Sequence, residues 1–233
     1  MCKRMVVLSL LGACCLGVTC RIDWTDGGSV WPPAYVPLDE AEADIVISQS
    51  VGDATADVIA TIVDEDGRPV TLDEDQQVTV NDEPLTGPRA NGRFTATVAA
   101  DDQYVVTVRE PTRGVARTTI ERPVNFEITS PVEGGGASLS GFSLRWSGAD
   151  DSLQVEIEIS QTIMGVTTTR SYGPYVDTGS RSFSAADLAP YFVQGRNLEI
   201  TVTKIKRVNN MAGFGAGTLT AKVSAVRVAS PRP

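Results

Sequence analysis

The chain contains no histidine, and none of its four cysteines lies beyond position 20. The first absence removes every Ser–His–Asp and Cys–His nucleophilic arrangement, together with imidazole ligands for zinc or haem. The second leaves residues 21–233 without a thiolate to attack a substrate, bind a metal or close a disulfide. A helical period is also nearly missing: only Ser184–Leu188 has the pattern for one turn. No apolar run reaches the roughly twenty residues that a membrane-spanning helix needs. Gly213-Phe214-Gly215-Ala216-Gly217 precedes no helical pattern, so it is not a dinucleotide fingerprint. It reads instead as the loop of a hairpin between the last two strands. No phosphate-loop sequence occurs.

What is present begins with Lys3-Arg4 followed by the apolar run from Val6 to Ala13, the charge-then-hydrophobe order of a secretory signal. Leu11-Gly12-Ala13-Cys14 resembles the lipobox of bacterial lipoproteins. That resemblance implies cleavage after Ala13, lipidation of Cys14 and palmitate in the mature protein, with residues 1–13 as the signal peptide. A thiolate suits this acylation because it is the strongly nucleophilic side chain near neutral pH. Cys15 and Cys20 are the alternative acceptors, and cleavage by an ordinary signal peptidase is the alternative processing. With Cys15 rather than aspartate after Cys14, the resemblance points to the outer membrane of a two-membrane host.

The net charge is −9, and loss of Lys3 and Arg4 with the signal would make it −11. So acidic a protein is a poor match for nucleic acid. The charge is uneven: residues 39–83 hold fourteen acids and one base, whereas residues 84–233 hold thirteen acids and sixteen bases. This asymmetry suggests two units, with a solvated acidic face as its simplest purpose. Residues 14–43, rich in Gly, Pro and acids around Pro32-Pro33, read as a lipidated N-terminus and tether.

Beyond them the dominant period is two, the pattern of half-buried strands. Val155, Ile157 and Ile159 alternate with polar neighbours, as do Leu144 and Trp146, Ile200 and Val202, and Leu219, Ala221 and Val223. Asp66-Gly67, Asn91-Gly92, Gly134–Gly136 and Asn209-Asn210 punctuate these runs. The expected fold is all-β, with two tandem β-sandwich domains over residues 44–122 and 123–233 and a boundary near Pro123.

The first of these resembles bacterial Ig-like and transthyretin-like sandwiches. The resemblance is carried by Asp64–Pro69 as a D-x-x-G-x-P turn, Gly92-Arg93-Phe94, and Tyr104–Val108. The second resembles a fibronectin type III domain, through Trp146 as the core tryptophan and Leu188-Ala189-Pro190 before Leu198–Val202. These resemblances imply spacers, adhesins or docking modules, with Trp146 buried between sheets.

No catalytic constellation is visible, and a non-catalytic envelope lipoprotein is the expected function. Its expected partners are a membrane, through the lipid, and an envelope protein or glycan; no cofactor is required. Asp64, Asp66, Asp73 and Asp75 flank one turn and are the candidates for a Ca²⁺ site, with solvated acidic turns as the alternative. A calcium-dependent or glycan-binding module is therefore the rival function, and a carboxylate-based glycoside hydrolase a third. Met211 and Phe214 are the candidates for an exposed contact loop, with a plain hairpin connection as the alternative.

Overall fold

Side chains that alternate between two faces need a partner layer for the apolar face. In a computed structural model, residues 36–89 and 92–231 are described, and they are all-β. A 3₁₀ turn at Leu38–Glu40 leads into β1 (Glu42–Ser50) and β2 (Thr55–Val63). The first half continues with β3 (Gln77–Val80), β4 (Glu83–Pro84), β5 (Thr86–Arg89), β6 (Arg93–Ala99), β7 (Gln103–Glu110) and β8 (Gly114–Glu121). After Pro123 come β9 (Ile128–Ser130), β10 (Gly136–Ala137), β11 (Gly141–Trp146), β12 (Gln154–Ile163), β13 (Val166–Val176) and β14 (Ser180–Ser184). The helical turn α1 (Ala185–Leu188) then leads to a long hairpin, β15 (Leu198–Asn209) and β16 (Ala216–Pro231).

Among the described residues these strands form three sheets. The broadest runs β13-β12-β15-β16-β1-β2-β6-β5, with β10 beside the end of β16. The sheet β4-β3-β7-β8 contributes to one core on its inner face, and β14-β11-β9 to a second. Residues 122 and 123 therefore mark the chain's passage from one smaller sheet to the other. They do not divide the broad sheet, which holds strands from both sides of that point.

β16 explains why. Its partner β1 lies parallel to it over Ala216–Ser224, while β15 lies antiparallel over Thr218–Ala229. Leu219 and Ala221 pack in the first core, whereas Val223 and Ala229 pack in the second. With a period of two, these odd-numbered positions share one face, so both cores lie on the same side of the strand.

The alternating runs take the burial expected of them: Val155, Ile157 and Ile159 are buried, as are Ile200 and Val202, and Trp146 keeps only 6% of its surface. Two expectations need correction. The tether reading extended to residue 43, but Leu38 and Ala41 already belong to the first core and β1 begins at Glu42. The apolar side chains in that acidic stretch are enough to dock it. The second correction concerns the loop between β15 and β16. Met211 and Phe214 are not exposed; they retain 2% and 8% of their surface and sit in the first core.

The glycines around them make this burial possible. At Gly213 (φ +90°) a Cβ would lie 2.8 Å from the Val108 Cβ. At Gly217 (φ +147°) it would collide with the Ala43 carbonyl on β1. The glycines thus allow the hairpin end to lie against the first core, where Gly215 N–H donates to Ala41 O (3.0 Å) and Ala212 N–H to Thr118 Oγ1 (2.8 Å).

Phe214→Ala should accordingly destabilise the protein by about 3–5 kcal/mol. Gly217→Ala should also lower the urea midpoint, because β1 must move away from β16. If Phe214 were a surface contact, its truncation would leave the midpoint unchanged.

Candidate functional site

Three places bear on function: the acidic turn, a buried ion pair in the second half, and the exposed end of the β12–β13 hairpin. The turn follows β2. Asp64 Oδ1 accepts the N–H groups of Asp66 (3.0 Å) and Arg68 (2.8 Å), and Oδ2 accepts Arg68 Nε (2.6 Å). Arg68 also reaches Asp66 at 3.1 Å. The short carboxylate is thus the clasp of an Asx-type turn, the reason Asp precedes a glycine at this spacing. Burial pushes the Asp64 carboxyl up. The Arg68 N–H, its guanidinium and the Asp66 N–H outweigh that effect and hold it below the usual aspartate value.

Asp73 and Asp75 lie elsewhere, lining a cleft with Pro37 and Glu110. There the Asp73 N–H is held by Gln76 Oε1 (3.0 Å), while Glu110 Oε1 accepts the Leu38 N–H (3.3 Å). Among the described residues no three acidic, Cys or His side chains are placed to hold a metal ion, so the four aspartates do not converge as the calcium reading requires. The backbone and Arg68 already occupy the oxygens of Asp64 that calcium would use.

Sequence reasoning missed the buried pair. Lys204 projects from β15 into the second half with its side chain fully buried, and its ammonium lies 2.9 Å from Asp177 Oδ2. This is a Coulombic contact whose direction falls outside hydrogen-bond geometry. The ammonium donates to Ser147 O (3.2 Å) and Gly148 O, and stands 4.9 Å from the centre of the Phe126 ring. Asp177 Oδ1 accepts Trp146 Nε1–H (2.7 Å) and Gly179 N–H (3.1 Å). One lysine thereby joins a strand of the broad sheet, the segments after β11 and β13, and the residues leading into β9. With these partners around a buried ammonium, the arrangement fastens elements and presents no nucleophile to solvent. Its only signal in the sequence is a lysine at a core position of the Leu198–Val202 alternation, which reads as a strand continuing to its polar end.

The third place is open to solvent. Met164, at the turn between β12 and β13, is 97% exposed, and Val166 is 69% exposed; Tyr191 and Val193 are exposed beside them in the chain after α1. Buried Gln161 fixes that segment, donating from Nε2 to Val193 O (3.0 Å) and accepting the Val193 N–H at Oε1 (2.8 Å). The Arg170 guanidinium lies 4.6 Å above the Tyr191 ring.

Sheet register locates this end. Glu42 pairs with Ala216, whereas Ser160 pairs with Glu199 and Glu199 with Val228. The start of β1 and Ser160, four residues before Met164 at the β12–β13 turn, therefore lie near opposite ends of β16, about 40 Å apart along the strand direction. The lipidation candidates Cys14, Cys15 and Cys20 lie outside the described residues.

Two measurements follow. Asp177→Asn keeps an acceptor for Trp146 but leaves a buried cation, and should cost about 3–5 kcal/mol. Adding Lys204→Met should recover much of that loss, as read by a double-mutant cycle. Asp64, with its lowered carboxyl, stabilises the folded protein fully above the unfolded aspartate value of about 3.9 and loses that contribution as pH falls through the lower folded value. The stability gap between the natural protein and Asp64→Asn should therefore narrow below about pH 4 in denaturant titrations.

No family model matches the chain, and no curated protein sequence matches it.

Proposed function

We propose that this chain is a non-catalytic cell-envelope lipoprotein, held to a membrane by acyl chains on Cys14, whose body carries an adhesive or docking end. The observation that supports this reading most directly is the exposed apolar end of the body at Met164 and Val166. The broad sheet would then act as a stiff spacer, because β15 and β16 cross from one core to the other without a hinge.

Several acyl chains would hold the protein nearly irreversibly, since each buried methylene contributes about 0.8 kcal/mol. Cys15 at the position after the acceptor supports retention in an outer membrane where the host has two. The tandem-sandwich resemblance supports a spacing or docking role in the same way, through families that serve as modules between partners.

Cys14→Ser tests the anchor. A hydroxyl is a far weaker nucleophile than a thiolate, so the variant should retain residues 1–13, migrate as the larger precursor and lose palmitate labelling. Cys15→Ser and Cys20→Ser should retain both labelling and processing. A natural protein with its N-terminus at Trp24 or beyond and no lipid mass would overturn the proposal.

A further inference from the structure

Strand edges carry unpaired N–H and C=O groups and invite another strand unless something blocks them. Most edges among the described residues are blocked. β5 has four residues and includes Pro88, β4 has two and includes Pro84, and β9 has three and is followed by Pro131. β14 has five residues and carries exposed Arg181. β8 is longer, but Arg117 and Glu121 stand exposed on it, and the segment after β15 is fastened to it through Thr118.

β13 is different. Among the described residues it is the outermost strand at one side of the broad sheet and pairs only with β12. Between Gly165 and Ser171 it has no proline and one charge, Arg170, whose guanidinium is turned onto the Tyr191 ring. Thr167, Thr168 and Thr169 are all exposed along it, and Met164 and Val166 stand exposed at its start.

We propose that this edge pairs antiparallel with the same edge of a second copy, about a two-fold axis through Thr168. Thr168 is the midpoint of the unblocked run, and this register sets Thr167 against Thr169 and Val166 against Arg170. Hydroxyl side chains then meet hydroxyl side chains, and no like charges face each other. The partner is a second copy because the seam is self-complementary in a chain of net charge −9. From Gly165 to Val176 there is no acidic residue, so two acidic bodies meet along a strand where neither presents an acid. A two-fold contact of this kind is closed and limits the assembly to two.

A seam of one strand per copy buries less than the roughly 1,200–2,000 Å² of a standard stable interface. Pairing is therefore weak between free molecules and gains strength where many copies share a surface. Because the strands run antiparallel, the two β1 starts point in opposite directions. The pairing does not depend on the lipid-anchor reading.

The test uses the full-length chain in detergent solution, followed by sedimentation velocity over rising concentration. A monomer–dimer equilibrium is expected. Thr168→Lys, which sets two ammonium groups face to face, should weaken it at least tenfold with no change in melting temperature, because Thr168 is exposed. An equimolar mixture of Thr168→Lys and Thr168→Glu copies should restore the dimer. Monomer at every concentration, or a dimer that Thr168→Lys leaves intact, overturns the proposal. A dimer in detergent from a chain that carries no lipid supports the pairing while removing the anchor.

Discussion

Along β16 the alternate side chains from Leu219 to Ala229 point to one side, and that single strand serves two cores. The constraint is geometric: a strand of period two cannot turn its apolar row to the other face without a one-residue slip in register. Both cores must therefore lie on the same side of the broad sheet, and both smaller sheets must pack there. The long β15–β16 hairpin follows from the same requirement, because its far end has to reach the first core. Gly213 and Gly217 matter for this reason, as they remove the Cβ atoms that would hold that end away from Val108 and Ala43.

Polar groups inside the second half are organised around Lys204 and Asp177. Burying two charges is costly, and their attraction offsets that cost only when the remaining donors and acceptors are also used. Here Ser147, Gly148, Gly179 and Trp146 supply those bonds. The pair lies on β15 and in the segment after β13, so it fastens the end of β13 at Val176 to the broad sheet.

The acidic turn illustrates how much a motif conveys and where it stops. The spacing Asp64-x-x-Gly67-x-Pro69 marks a turn because Asp can hydrogen-bond the backbone two and four residues on, and the structure uses both bonds. Whether nearby carboxylates converge is a different matter, since Asp73 and Asp75 lie beyond a bend that local spacing does not specify. They line a separate cleft with Glu110, a residue of β7 far along the chain.

The all-β class and the alternating strands were determined by the sequence alone, because a period of two is a local property of adjacent residues, whereas the burial of Trp146 was what the fibronectin type III resemblance implied. The lipobox resemblance is local in the same way. The placement of Met211 and Phe214 was decided only by tertiary structure. A glycine-flanked loop with two large apolar residues has the same local pattern whether it projects into solvent or folds under a neighbouring core. The Lys204–Asp177 pair was likewise decided there, as its two members are brought together from separate elements. The position of β13 at the border of the broad sheet, among the described residues, also belongs to the fold: nothing within Val166–Ser171 records which strands lie beside it, because strand order arises from pairings between residues distant along the chain.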